Sequence, residues 1–400
     1  MRFSIRGEGQ IRKSLDTTDR DEAERLAFEF WSEARYRAKQ GLRSQAKTFR
    51  QVAEEFIAQL RREAERGERR QFQADQFRRI VERYLVGYFA DRPMDHIRDA
   101  DVTRFWEWRR DYWVTGPGKG IQFLTYQRAG RQIRKPVTAS MRKAPSLSGQ
   151  RSEAVVLRML LRQAVKWGYL KETSLPEVEV PRVPANARPS FEASEFTRLE
   201  QLSQQRTADF TVNEHVRRDR AILHCYIMIA AFSGMRPTEI KNLNWGDVLG
   251  YREGREKPLA QRDIRLRVRG KGKSRTFIPM EAALPWFDNL WDIWVKAKGN
   301  IPTDLDPVFA TPTGKRLGSV KKSLQELLKA ADLLTDHRGM RRTSYSFRHL
   351  YISQQIIAGV EIYLLGRNTG TSSNMIERFY ADVKLERMTK ELRPEWRTAD

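Results

Sequence analysis

The sequence predicts a mainly α-helical protein with small β-sheets, of the α+β class: a small ββα module, a helical domain and a mixed α/β domain. Three observations carry that expectation. Apolar residues recur at three- and four-residue spacing in several long stretches, as in helices with one buried face. Two short stretches alternate apolar and polar residues around a glycine turn, as in hairpins. A segment rich in Pro and Val separates two patterned regions and reads as a stiff linker.

Residues 1–46 form the ββα module. Phe3 and Ile5 alternate with polar residues, Gly7-Glu8-Gly9 supplies a turn, and Ile11 to Leu15 returns as a second strand. Thr17-Thr18-Asp19 offers caps for a helix with Ala23, Leu26, Ala27, Phe30 and Trp31 on one face. Two strands and one helix are marginal alone. The module is therefore expected to be a remnant, or to need DNA or a partner for its order.

Residues 47–180 read as helical. Phe49, Val52, Ala53, Phe56, Ile57 and Leu60 mark one helix, and Phe77, Ile80, Val81, Tyr84 and Leu85 a second. A third lies near Val102 to Trp113, and a fourth carries Val156, Leu157, Leu160, Leu161, Ala164, Val165 and Trp167. Between the last two, Tyr112 to Ser152 contains no acidic residue, yet holds Lys119, Arg128, Arg131, Arg134, Lys135, Arg142, Lys143 and Arg151. Gly116, Pro117, Gly118 and Gly120 argue for a loop. A loop of one sign repels itself unless an anion such as a phosphate backbone neutralises it; the plainer reading is a solvated loop. Glu177 to Pro189 has little periodicity, so the linker is placed at 181–190 with the boundary near residue 185.

A new helical pattern begins at Phe191. Farther on, AFSGMRPTEI reads as a buried helix broken at Gly234, with Arg236 and Pro237 opening a new helix whose Ile240 and Leu243 face the core. Ile264, Leu266 and Val268 alternate with Arg265, Arg267 and Arg269, Gly270-Lys271-Gly272 turns, and Thr276 to Pro279 returns. SYSFRHLYIS reads as a helix starting at Ser344 or Ser346, with Tyr345 and Arg348 on one face and His349 rotated away. Tyr380 falls near the end of a short helix with Met375, Ile376 and Phe379 as apolar partners. Taken singly, Arg236 is a solvated helix-start residue, Lys271 a turn lysine and Tyr380 a packing residue.

Composition narrows the chemistry. Among 400 residues the net charge is +23, which favours polyanionic partners, above all nucleic acid; a merely soluble or ribosome-associated basic protein is the bland alternative. Cys225 is the only cysteine, so a disulfide framework or a Cys-based zinc site is excluded. His96, His215, His224, His337 and His349 are scattered without metal-site spacing. No apolar run approaches the roughly 20 residues that span a bilayer, and the N-terminus lacks the apolar core of a signal peptide. A reducing compartment that holds nucleic acid is expected, with no cofactor, no metal and no membrane.

Within that frame Arg236, Lys271, Arg348 and Tyr380 suit one job. Two guanidiniums clamp a phosphodiester, a lysine donates a proton, and a phenol attacks phosphorus. Lys273 competes with Lys271 for its role.

The segments resemble the catalytic domain of the tyrosine recombinases, the phage integrases and their relatives. Arg236 matches the family's first arginine in its Gly-hydrophobic-Arg-x-x-Glu context with Glu239, Lys271 the hairpin lysine, Arg348-His349 the Arg-His pair, and Tyr380 the nucleophile. The likeness is close over about 190–385. It is looser over 47–180, which resembles the helical core-DNA-binding domain, and weaker still over the N-terminal module, which resembles arm-type DNA-binding modules. Two positions depart from the pattern: Tyr345 and Thr371 stand where a His, and a His or Trp, are usual. An unperturbed phenol, with pKa of about 10, is a poor base at neutral pH, so the general base is unassigned; both hydroxyls can still hydrogen-bond a phosphate.

The resemblance implies a site-specific recombinase that cleaves and rejoins DNA through a 3′-phosphotyrosyl link, integrating or excising a phage or mobile element. It implies double-stranded attachment sites and a homo-oligomer, a tetramer, on DNA. It admits a DNA-bending or directionality factor, and it places the protein in the cytoplasm of a bacterial host, at the nucleoid. The catalytic domain would span 191–384, and the tail 385–400 would dock on the next protomer. A type IB topoisomerase-like enzyme and a catalytically decayed DNA-binding relative are the alternatives.

Overall fold

The Asp19 carboxylate accepts the Glu22 amide at 2.9 Å and so opens the first helix where the sequence offered a cap. The computed structural model describes residues 1–5, 8–128, 131–183, 189–270 and 273–378; the side chains of Gln127, Arg128 and Lys273 are also outside the description. β1 (Arg2–Ile5) and β2 (Gly9–Arg12) pair antiparallel with Phe3 opposite Ile11, and α1 (Arg20–Lys39) covers them, Phe30 meeting Phe3 edge-on at 5.9 Å. The module finds its partner within the chain. Glu8 accepts from the amide and hydroxyl of Ser44, and Arg37 forms a largely buried ion pair with Asp95. The first pairing, 36 residues apart, closes the module on itself, and the second, 58 residues apart, joins it to the helical domain.

The chain divides into two compact units, Met1–Ala185 and Asn186–Asp400. In the first, α2 (Phe49–Glu65) starts in a reciprocal box between Thr48 and Gln51. α3 (Gln71–Ile80) continues through a π turn, Val81–Leu85, into α4 (Val86–Phe89). α5 (Asp99–Asp111) and α6 (Leu147–Lys166) complete a core that includes Phe49, Phe56, Phe89, Phe105, Leu157 and Leu160. Inside it the Arg109–Glu153 ion pair (2.7 Å, each side chain 5% exposed) lies against the Tyr84 ring, and the Tyr84 hydroxyl accepts the Trp113 indole N–H at 3.0 Å. Removing one member of such a pair strands a buried charge.

The stretch expected as a loop between α5 and α6 contains a hairpin, β3 (Phe123–Arg128) with β4 (Arg131–Pro136). The Val137 amide extends the ladder to Gln122 O at 2.8 Å. Leu124 and Val137 pack on the helical core, and Ile133 is half-buried. So few apolar positions among Arg, Lys and Gln left little alternation to read. The aperiodic stretch just ahead of the expected linker is docked: Val178 is buried, its carbonyl accepts from Arg158, and the Glu177 amide bonds Asp99. Residues 184–188 lie outside the described residues.

In the second unit α7 (Ala193–Thr207) packs on α8 (Glu214–Ser233), which is buried continuously from Ile222 to Ala231. α9 (Pro237–Asn242), β5 (Val248–Leu249) and α10 (Tyr251–Gly254) lead to β6 (Arg265–Gly270) and β7 (Lys273–Phe277). These strands form the antiparallel sheet β5-β6-β7, with Leu266 opposite Phe277 and Val268 opposite Arg275. α11 (Leu284–Lys298), α12 (Lys321–Ala330), α13 (Tyr345–Ile357) and α14 (Ile362–Thr369) follow, α11 and α13 lying on α8. The result is the mainly helical α+β architecture expected, with its hairpin at β6–β7. Among the described residues no helix is long and apolar enough to cross a membrane, and no three His, Cys, Asp or Glu side chains form a metal-sized group.

Candidate active site

Gly234 closes α8 with φ of 61°, and a Cβ there would lie 2.3 Å from the Tyr351 ring. The turn it permits sets Arg236 as the cap of α9, with Pro237 at the first helical position. The Gly234 carbonyl also accepts Arg348 Nη1 at 2.6 Å. Gly234→Ala is therefore expected to cost about 2–4 kcal/mol, through overpacking and strained backbone. A urea midpoint within error of the parent would refute this account.

Glu239 lies one turn into α9 and is 2% exposed. It accepts the Arg236 amide (2.9 Å) and Arg236 Nη1 (2.8 Å), and Arg275 binds it through both Nη atoms at 2.7 and 3.0 Å. Burial alone would raise its pKa. The Arg275 fork, with the Arg236 amide and guanidinium, outweighs burial and holds the carboxyl at about 2.

Arg348, in the first turn of α13, is 2% exposed. Besides Gly234 it donates to the Thr369 carbonyl at 2.8 Å and to the Thr371 hydroxyl. Burial, followed by the neighbouring Arg236 charge, lowers its pKa to about 10, which leaves it protonated at neutral pH. Arg236 Nη2 donates to the Gly370 carbonyl, and Arg275 Nε to that of Asn368 at 3.3 Å. Three guanidiniums thus hold three consecutive carbonyls, 368 to 370. The Asn368 amide in turn bonds both the N–H and the C=O of Ile278, at 3.0 Å each, beyond the end of β7. The cluster pairs three cations with one carboxylate, a surplus of positive charge suited to an oxyanion.

Of the sequence-derived catalytic set, Arg236, Arg348 and Thr371 are brought together. Tyr345 opens α13, half-buried, its ring 5.5 Å from that of His349. Lys271 and Tyr380 lie outside the described residues, as do Phe379 and the tail, and of Lys273 only the backbone is described. Residues 373–378 are helical, with Ile376 fully buried and Met375 43% exposed. In the first unit Lys119, Arg131, Arg134, Lys135 and Lys143 are exposed. Arg142 is less exposed: its guanidinium donates to the Lys119 and Ile121 carbonyls and ties down the hairpin's base. Arg151 bonds the Pro181 carbonyl. Sequence reasoning missed Arg275 and Asn368. The available signal for Arg275 was its period-2 match to the buried Phe277, which puts an arginine on the inward face of a strand.

No family model matches the chain, and no curated protein matches it. Solved structures do. The chain is similar to a lambda integrase dimer bound to a COC′ core site, at 13% identity and TM-score 0.56, covering 100% of this chain and 97% of that one. It is similar to a lambda integrase tetramer bound to a Holliday junction, at 15% and 0.55, covering 100% and 95%. The Tn1549 transposon integrase in complex with a circular intermediate DNA matches at 14% and 0.51, covering 86% and 99%. The chain spans 66% of a XerH site-specific recombinase bound to palindromic difH substrate, at 15% and 0.45. The fold is that of the integrases.

Proposed function

We propose that the chain is a site-specific DNA recombinase that cleaves and rejoins strands through a 3′-phosphotyrosyl intermediate. The observation that carries this reading is the cluster of Arg236, Arg348 and Arg275, three guanidiniums on the carbonyls of 368–370, two of which share the Glu239 carboxylate. The integrase fold supports it.

In this reading Tyr380 Oη attacks the scissile phosphorus. A P–O bond to tyrosine forms as the bond to the 5′-oxygen breaks, and Lys271, with Lys273 as rival, protonates the leaving oxygen. A 5′-hydroxyl from the partner duplex later attacks the link and releases Tyr380, so the bond energy is conserved. Arg236 and Arg348 stabilise charge on the non-bridging oxygens. The Thr371 oxygen already accepts from Arg348, so its proton is available for a phosphate oxygen. Tyr345 offers a second hydroxyl. Lys119, Arg128, Arg131, Arg134, Lys135 and Lys143 meet DNA in the first unit. The likeness to an integrase dimer on a core site and a tetramer on a Holliday junction favours action as an oligomer on DNA.

The test uses the full chain and nicked suicide duplexes drawn from the DNA flanking its gene. The parent is expected to leave a protein–DNA adduct stable to denaturation, and Tyr380→Phe none. An adduct that persists in the Phe chain overturns the nucleophile. Relaxation of supercoils without two-site recombination would instead favour the topoisomerase reading.

A further inference from the structure

The β3–β4 hairpin has two unlike faces. The register places Leu124, Tyr126 and Ile133 on one, with Arg131 and Lys135. That face turns to the helices: Leu124 packs on the core, and the Arg79 guanidinium lies 5.8 Å from the Tyr126 ring centroid. The other face carries Phe123, Thr125, Gln132 and Arg134, all exposed. Arg134 is not left to wander, for its guanidinium stacks over the Phe123 ring at 3.9 Å. The hairpin's base is fixed by the Val137–Gln122 bond and by Arg142 on the Lys119 and Ile121 carbonyls.

We propose that this outward face is a base-reading surface for duplex DNA, a two-stranded ribbon seated in the major groove. The proposal rests on the DNA-acting function above and deepens it. Dimensions agree: six residues per strand make a ribbon of about 20 Å, and the B-DNA major groove, about 12 Å wide, admits a two-stranded ribbon. Charge agrees too, since the stretch from Tyr112 to Ser152 holds eight Lys and Arg and no acid. Side-chain chemistry is the sharper argument. Arginine pairs bidentately with guanine, glutamine with adenine, and threonine meets the thymine methyl, whereas phosphate contacts alone would call for little beyond charge. Lys119, Arg131, Lys135 and Lys143, exposed but off this face, supply those phosphate contacts.

The experiment selects duplexes from a library with a randomised 20-base-pair core, using full-length protein carrying Tyr380→Phe so that binding is read without cleavage. The same selection is run with Gln132→Ala/Arg134→Ala added, and with Arg131→Ala on the opposite face. Loss of sequence preference at two to four adjacent base pairs in the double variant, roughly ten- to hundredfold in discrimination per contacted pair, with preference elsewhere kept, is expected. Arg131→Ala should weaken all sequences alike and reduce the salt dependence. Unchanged preferences in the double variant, or uniform weakening without lost preference, overturn the ribbon as a reader. If the parent enriches no duplex at all, the DNA-acting function itself fails. The substituted side chains are exposed, and a thermal melt within about 2 °C of the parent confirms an intact fold.

Discussion

Arg348→Ala is expected to slow strand cleavage roughly a hundred- to a thousandfold, while duplex affinity stays within a few-fold. The asymmetry follows from where the charge sits. Arg348 is buried against Gly234, Thr369 and Thr371, so it contributes little to a long-range field that the net charge of +23 dominates. In the proposed chemistry its effect falls on the phosphate at the moment charge builds up. Arg348→Lys separates chemistry from packing, because it keeps the charge and most of the volume but cannot donate along three directions. It should keep the parent's fold yet retain most of the loss in rate. Covalent adduct formation on a suicide duplex gives the rate and fluorescence anisotropy the affinity. Cleavage within tenfold of the parent in the Ala chain would remove Arg348 from the machinery.

Glu239→Gln is expected to lower stability by an amount that depends on pH. The carboxyl is held at about 2 against an ordinary 4.5, so its linkage contribution at neutral pH is about 3 kcal/mol. The sign is that of a depressed acid: the contribution is complete above pH 4.5 and is lost as pH falls towards 2. Parent and variant should therefore differ most at pH 7 and converge near pH 2 in urea-unfolding midpoints. A constant difference across that range would mean that packing, not charge, is what Glu239 supplies. Cleavage should fall as well, because Arg236 and Arg275 both lose their shared anchor.

Much of the site was legible because local rules and chemistry coincide there. Gly234 before Arg236-Pro237 marks a helix break and a new start, and Tyr345 and Arg348 share a face by spacing alone. Arg275 was hidden because its meaning depends on Glu239, 36 residues earlier, and a charged residue in a strand reads as solvent-facing unless its inward parity is counted. Asn368 was hidden for the same reason, 90 residues from the backbone it bonds. The β3–β4 hairpin was hidden by composition, since glycines and prolines ahead of it signalled a loop while its one core-facing stripe is short. The N-terminal module's docking rests on Arg37, a charge whose partner Asp95 no periodicity announces.

The three arginine grips on carbonyls 368 to 370 also set a leash. Nine residues separate Gly370 from Tyr380, and with 373–378 wound as helix the reach is at most about 25 Å. Under the proposed chemistry, a Tyr380 phenol held within a sphere of that reach would meet the clamp at an effective concentration far above that of any dissolved nucleophile. Loosening the post at Arg275 or Arg236 would enlarge the sphere and dilute the phenol, slowing the first bond-forming step even with the nucleophile chemically intact.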